Sequence, residues 1–164
     1  MAKDLYDLIP SVDEAKTYTI AFTIWPKLWK KYQRKLPTRF KWLSYPFNSR
    51  SKGSVPEKAG IYTFVVKPNI AQHCCSYLMY VGVTVDQTLR QRFAQYLREK
   101  SSPSGRLQIR WLFKKYSHEN LSFCCATLPK TINLEKIEKY LIDAFLPPFN
   151  RRIPGEVGKI KRAF

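Results

Sequence analysis

"KAGIYTFVVK" (residues 58–67) and "YLMYVGVT" (residues 77–84) decide how this chain is read. Each is an apolar, β-rich run that carries a tyrosine beside a glycine. They predict two strands, over 61–67 and 76–82, joined as a hairpin through a loop that Pro68 and Asn69 open. Tyr-Gly pairs are common by chance, so the meaning of the two strands depends on what surrounds them.

Downstream, "TLRQRFAQYLREK" (88–100) sets Leu89, Phe93, Tyr96 and Leu97 at helical spacing. "SSPSG" (101–105) breaks that pattern, and "RLQIRWLFKKY" (106–116) predicts a second helix. "NLSFCCATL" (120–128) reads as a third strand. "NLEKIEKYLIDAF" (133–145) reads as a third helix, capped by Asn133 and stopped by Pro147 and Pro148. The fold class expected is α+β: a small three-stranded antiparallel sheet flanked by helices.

Upstream the grammar is different. No acidic residue occurs between Glu14 and Glu57, while Lys27, Lys30, Lys31, Arg34, Lys35, Arg39 and Lys41 crowd that gap among Trp25, Trp29, Tyr32, Phe40 and Trp42. Cations interleaved with aromatics suit a surface that tracks phosphates and stacks bases. A small apolar subcore with a solvated cationic face explains the same composition, and both hold together if Lys and Arg stems cover apolar surface. "TYTIAFTIW" (17–25) alternates as a strand, Pro26 suits the first turn of a helix over 27–35, and 37–54 reads as an irregular connector. Residues 1–54 are therefore assigned to a basic aromatic N-terminal extension that contacts nucleic acid, and 55–164 to the main domain.

The charge balance points the same way. The chain has 164 residues with 29 Lys+Arg against 12 Asp+Glu, a net charge of +17. A polyanion is the natural partner, nucleic acid first among them. The longest apolar runs are strand-sized, which argues against a membrane span. The N-terminus lacks signal-peptide order, and the reading is an intracellular, cytoplasmic protein. Cysteines come as two vicinal pairs, Cys74-Cys75 and Cys124-Cys125, both in strand-like runs. Their spacing gives little support to zinc, so they are expected as small buried thiols in a reducing compartment.

Two residues sit oddly. On the third helix Leu134, Leu141 and Phe145 share a stripe that position 138 completes, and Glu138 fills it. A carboxylate facing a core needs a cation, a metal or a solvated cleft beside it. The plainer alternative puts Glu138 at the rim, reaching water. On the first helix Arg92 stands between Leu89 and Tyr96. A guanidinium there would clamp a phosphate oxygen, or would be an ordinary surface arginine. Arg90 and Arg98 are expected on the solvent side.

Taken together, these residues resemble the GIY-YIG nuclease family. The first motif stands as Gly60-Ile61-Tyr62 and the second as Tyr80-Val81-Gly82; the helical arginine matches Arg92, the glutamate Glu138 and the terminal asparagine Asn150. The likeness covers about residues 55 to 151 and does not reach 1–54. The family often has a histidine one turn after the arginine, where this chain has Tyr96 and the excision-repair branch likewise has a tyrosine; some members have a lysine where this chain has Val83. These departures bear on which group handles protons. Eighteen positions separate Tyr62 from Tyr80, which predicts a protruding loop.

The resemblance implies hydrolysis of DNA phosphodiesters to 5′-phosphate and 3′-hydroxyl ends with one Mg²⁺ or Mn²⁺. It assigns Glu138 to the metal, Arg92 to the phosphate oxygens, Tyr62 to the water's proton and Tyr80 to positioning. Tyr96 joins them in the site, and Asn150 orders the end of the third helix. Gly60 and Gly82 are expected to leave room for a phosphate. Arg151 and Arg152 extend the DNA-binding set. A restriction or phage-defence nuclease is the leading reading. A homing or repair nuclease, or a non-catalytic nucleic-acid-binding subunit, is the alternative. Cutting both strands with one site would call for a homodimer.

Overall fold

The computed structural model describes residues 9–36, 40–71, 74–100, 107–116 and 118–150. Helices α1 (Ile9–Tyr18) and α2 (Pro26–Gln33) come first, then strands β1 (Leu43–Pro46), β2 (Gly60–Val66) and β3 (Tyr77–Thr84). Helices α3 (Leu89–Glu99) and α4 (Leu107–Lys115), strand β4 (Leu121–Thr127) and helix α5 (Leu134–Phe145) follow. The class is α+β. The strands form one antiparallel sheet in the order β1-β4-β2-β3.

The hairpin of β2 and β3 is present, with Tyr62 opposite Gly82 and Phe64 opposite Tyr80. A bulge after Phe64 shifts the register, so that Val65 faces Leu78. Alternation along β2 then divides the core. Tyr62, Phe64 and Val66 face α3 and α4 in one cluster. Ile61, Val81 and Ala126 face the other way and pack with Ile137, Leu141 and Ile142 of α5.

The sheet has four strands, not three. The extra one lies within 37–54, the stretch expected to be irregular. Tyr45 pairs with Phe123, and the Phe47 amide donates to the Leu121 carbonyl at 2.9 Å. A four-residue edge strand ending in proline carries almost no local signal. Phe47 then buries its ring against Phe64, Phe93 and Phe113. The segment assigned to the extension thus supplies both a strand and a core ring.

The strand expected over 17–25 is absent. Thr17 and Tyr18 end α1, and 19–25 is irregular. Alternation alone does not make a strand without a ladder to join. Tyr18 and Phe22 instead contact Tyr116 and Tyr77, and Ile24 is left 73% exposed.

Helix ends follow their residues. Thr88 and Gln91 form a reciprocal capping box at α3, and Asn133 accepts from the Lys136 amide at α5. After α5, Leu146 takes a positive φ of 48°, uncommon for a branched side chain. Its burial with Leu28, Tyr32 and Ala144, and its amide bond to Ile142, hold it there. Arg90 is not a solvent-side arginine. It donates to the carbonyls of Val55 and Gly53 and pairs with Glu57, tying that loop to α3.

Cys124 and Cys125 lie in β4 as expected, and burial, then Cys124 beside it, pushes the Cys125 thiol up to about 12. Cys74 and Cys75 lie outside the strands, exposed and half-buried respectively, because β3 begins only at Tyr77. Between β2 and β3 a short 3-10 turn at Asn69–Ala71 carries Ile70, 99% exposed. Among the described residues no helix is long and apolar enough to cross a membrane.

Candidate active site

Tyr62 is in the central part of the sheet, between Gly82 of β3 and Cys125 of β4. A Cβ added at Gly82 would fall 2.5 Å from both Cζ and Oη of Tyr62. Glycine is therefore required at 82 because a phenol ring covers it. At Gly60 an added Cβ would meet the Ala126 carbonyl at 2.3 Å. Both glycines make room for the protein's own atoms, which corrects the expectation that they leave space for a phosphate.

Around Tyr62 the structure gathers Tyr80, Tyr96 and Arg92. The hydroxyls of Tyr62 and Tyr96 share a hydrogen bond of 2.9 Å, and the Tyr80 ring lies 6.2 Å from that of Tyr62. Arg92, one turn before Tyr96 on α3, sets its guanidinium carbon 5.7 Å from the Tyr96 ring centre. Its Nη1 donates to Gln95 Oε1 at 3.1 Å. With the Gln87 amide turned to satisfy both its groups, Gln87 oxygen accepts from Nε and Nη2 of Arg92, each at 3.2 Å. A guanidinium so braced is held in place while half-buried.

Tyr62 is 1% exposed. Burial pushes its phenol well above the ordinary value, Tyr96 and Tyr80 push the same way, and Arg92 opposes them. Tyr62 is a neutral phenol here, able to relay a proton through Tyr96 but not standing ready as a base.

Glu138 is placed differently from the expected stripe. The buried side of α5 is Ile137, Leu141, Ile142 and Ala144, whereas Phe145 is 43% exposed. Glu138 is half-buried at the margin of that side. The argument that a core carboxylate demands a metal therefore lapses, and the rim alternative describes its position. The side of α5 that packs on the sheet meets the face opposite to the Tyr62 ring.

Asn150 clasps β3. Its Oδ1 accepts from the Val81 amide at 3.0 Å, and its Nδ2 donates to the Val81 carbonyl at 2.8 Å. With the Phe149 amide donating to Met79, this pins the chain after α5 to the sheet edge, between Tyr80 and Gly82.

Of the basic set, Lys27, Lys30, Lys31, Arg34, Lys35 and Lys41 are all exposed. The first five lie on α2 or just after it. That helix packs through Leu28 and Tyr32 on Ala144 and Leu146, so its cations crowd the outer side of α5. Arg39, Arg151 and Arg152 lie outside the described residues.

The buried carboxylate is one the sequence did not single out. Asp143 is 4% exposed, and Tyr32 donates to its Oδ2 at 3.0 Å. Its Oδ1 has no hydrogen-bond partner among the described residues. Tyr140 and Asp143 are three apart, a stripe that becomes visible only once α2 is known to cover it. Burial pushes the Asp143 carboxyl up, against the Tyr32 bond and Lys139, Lys31 and Lys35. The folded protein therefore holds that proton more tightly than the unfolded chain. The resulting stabilisation is full below the unfolded value, about 3.9, and is lost as pH rises through the folded one. Asp143→Asn keeps an acceptor for Tyr32 but cannot ionise. Urea midpoints should show the wild type losing stability relative to this variant as pH rises from about 4 through the raised folded value. A gap that stays constant as pH rises would mean that folding does not raise the Asp143 carboxyl.

No group of three His, Cys, Asp or Glu able to hold a metal occurs among the described residues. No protein-family model, curated protein or solved structure matches this chain.

Proposed function

We propose that this protein is a metal-dependent DNA endonuclease of the GIY-YIG type, serving restriction or phage defence. The observation that carries the reading is the hydrogen-bonded Tyr62–Tyr96 pair with the braced Arg92 beside it and Gly82 beneath the Tyr62 ring. Packing alone needs neither a guanidinium held by two amides nor a phenol pair next to it.

Hydrolysis adds water across the P–O3′ bond, leaving a 5′-phosphate and a 3′-hydroxyl. Arg92 meets the non-bridging oxygens, where negative charge builds. Tyr80 orients the water or the phosphate. The proton the attacking water gives up passes by way of the bonded Tyr62 and Tyr96 hydroxyls and ends on the leaving 3′ oxygen. Glu138 offers one hard carboxylate, which suits Mg²⁺ or Mn²⁺, since Mg²⁺ is commonly held by one or two carboxylates together with waters and substrate phosphate. Such an ion supplies charge neutralisation at the phosphate. Asn150 keeps β3 and the end of α5 in register.

A non-catalytic nucleic-acid-binding role is favoured by a different observation: the Tyr62 hydroxyl is buried, and α5 packs on the other face of the sheet. Plasmid nicking with Mg²⁺ or Mn²⁺ separates the two. The endonuclease reading expects cleavage by the wild type and a loss of about 100-fold or more in Arg92→Ala and Glu138→Ala, with DNA affinity within a few-fold of wild type. Tight DNA binding without nicking under either metal would leave the binding role standing and the enzyme reading without support.

A further inference from the structure

Four residues along β2 from Tyr62, roughly 13 Å away, the same face of the sheet opens into a cleft. Its volume is about 570 Å³, within the range of small-ligand sites. Val66 and Met79 are among its lining residues, both from the core cluster that holds Tyr62. Its aromatic walls come from distant parts of the chain: Tyr18 and Phe22, Tyr77 at the start of β3, and Tyr116 after α4.

Tyr18, Phe22 and Tyr77 remain 43%, 40% and 43% exposed. Three large rings left open around one cleft are more than the scattered exposed apolar residues of an ordinary surface, and such patches mark binding sites. Phe22 and Tyr77 pack on one another at 5.6 Å with a 39° tilt and each keeps about two-fifths of its surface exposed, so a flat partner meets their open sides. Aromatic cages also accept cationic ligands, but here the protein supplies the cation itself. Lys115 Nζ is 4.5 Å from the Tyr18 ring centre and donates to Thr17 Oγ1 at 2.9 Å. Among the described residues no acidic one lines the cleft. A ligand that adds negative charge beside a planar ring fits this arrangement, and a second cation does not.

We propose that this cleft takes an unpaired nucleobase of a nucleic-acid strand, stacked on Tyr77 and Phe22, with the adjoining phosphate at Lys115. The inference rests on the nucleic-acid reading above and goes beyond it, because a base inside a duplex stack cannot enter such a site. The protein then prefers single-stranded, looped or locally opened substrates.

The test uses the full chain and an oligonucleotide carrying 2-aminopurine, as a single strand and as a duplex at one fixed salt concentration. Wild type should quench the single-strand fluorescence on binding. Tyr77→Leu should weaken single-strand binding about tenfold and remove the quench, with duplex binding unchanged. Tyr77→Trp, which keeps a ring, should retain both. A thermal melt of each variant verifies folding. Adenosine monophosphate, the same chemistry without a strand, should bind far more weakly than the oligonucleotide, and equal binding would overturn the strand as occupant. Single-strand binding that is unquenched, or unchanged in Tyr77→Leu, overturns the cleft and leaves the endonuclease reading untouched. Absence of binding to either oligonucleotide overturns both.

Discussion

Phe47→Ala should cost about 3–5 kcal/mol, a large share of the stability of a domain this size. The ring is 2% exposed, with its centre 5.1, 5.2 and 4.6 Å from those of Phe64, Phe93 and Phe113. Removing it leaves a cavity lined by three rigid rings from two helices and a strand, which have little freedom to collapse inward. In urea the midpoint should fall by about 2 M, against a negligible change for Trp42→Ala, whose ring is 41% exposed. A chain beginning at residue 55 loses Phe47 and β1 together and should show no cooperative transition. If that shortened chain unfolds like the full one, the core assigned here to Phe47 is wrong, and the composition boundary at 54 is a true domain boundary.

Gly82→Ala should also have a large effect. The new methyl would overlap Tyr62, whose Cζ and Oη both lie 2.5 Å from its position. The ring has to move, and the bond to Tyr96 goes with it. Overpacking costs about 1–3 kcal/mol and the lost buried bond about 1 more. A double-mutant cycle tests the cause. With Tyr62→Leu in the background, Gly82→Ala should become cheaper by about 1–2 kcal/mol, since the clash needs the distal ring atoms. Gly60→Ala should show no such relief, because the atom it meets at 2.3 Å is the backbone carbonyl of Ala126. Strict additivity at Gly82 would sink the claim that the glycine exists for the ring. The same variants should lose nicking together with stability if Tyr62 carries the proton relay.

What could be read early was local. The apolar strand runs of β2, β3 and β4, the Asn133 cap and the apolar stripe of α3 are each written within a dozen residues. The grouping of Tyr62, Tyr80, Arg92 and Tyr96 was implied by the resemblance, and adjacent strands and the next helix carry all four. On α5 the same reasoning misjudged the face. Leu134, Glu138, Leu141 and Phe145 satisfy helical spacing as well as Ile137, Leu141 and Ile142 do, and the choice between the two stripes rests with the surface the helix lies against.

Short-range chemistry thus settled where most elements start, stop and turn their apolar sides. Packing between distant segments decided the rest: the fourth strand, the burial of Phe47, and Tyr32 closing over Asp143. It also decided the demotion of residues 19–25 from strand to irregular chain. Each depends on a partner far along the chain, and a side chain's environment is a property of the pair. A ladder needs its opposite edge, and a carboxylate is buried only when another helix covers it.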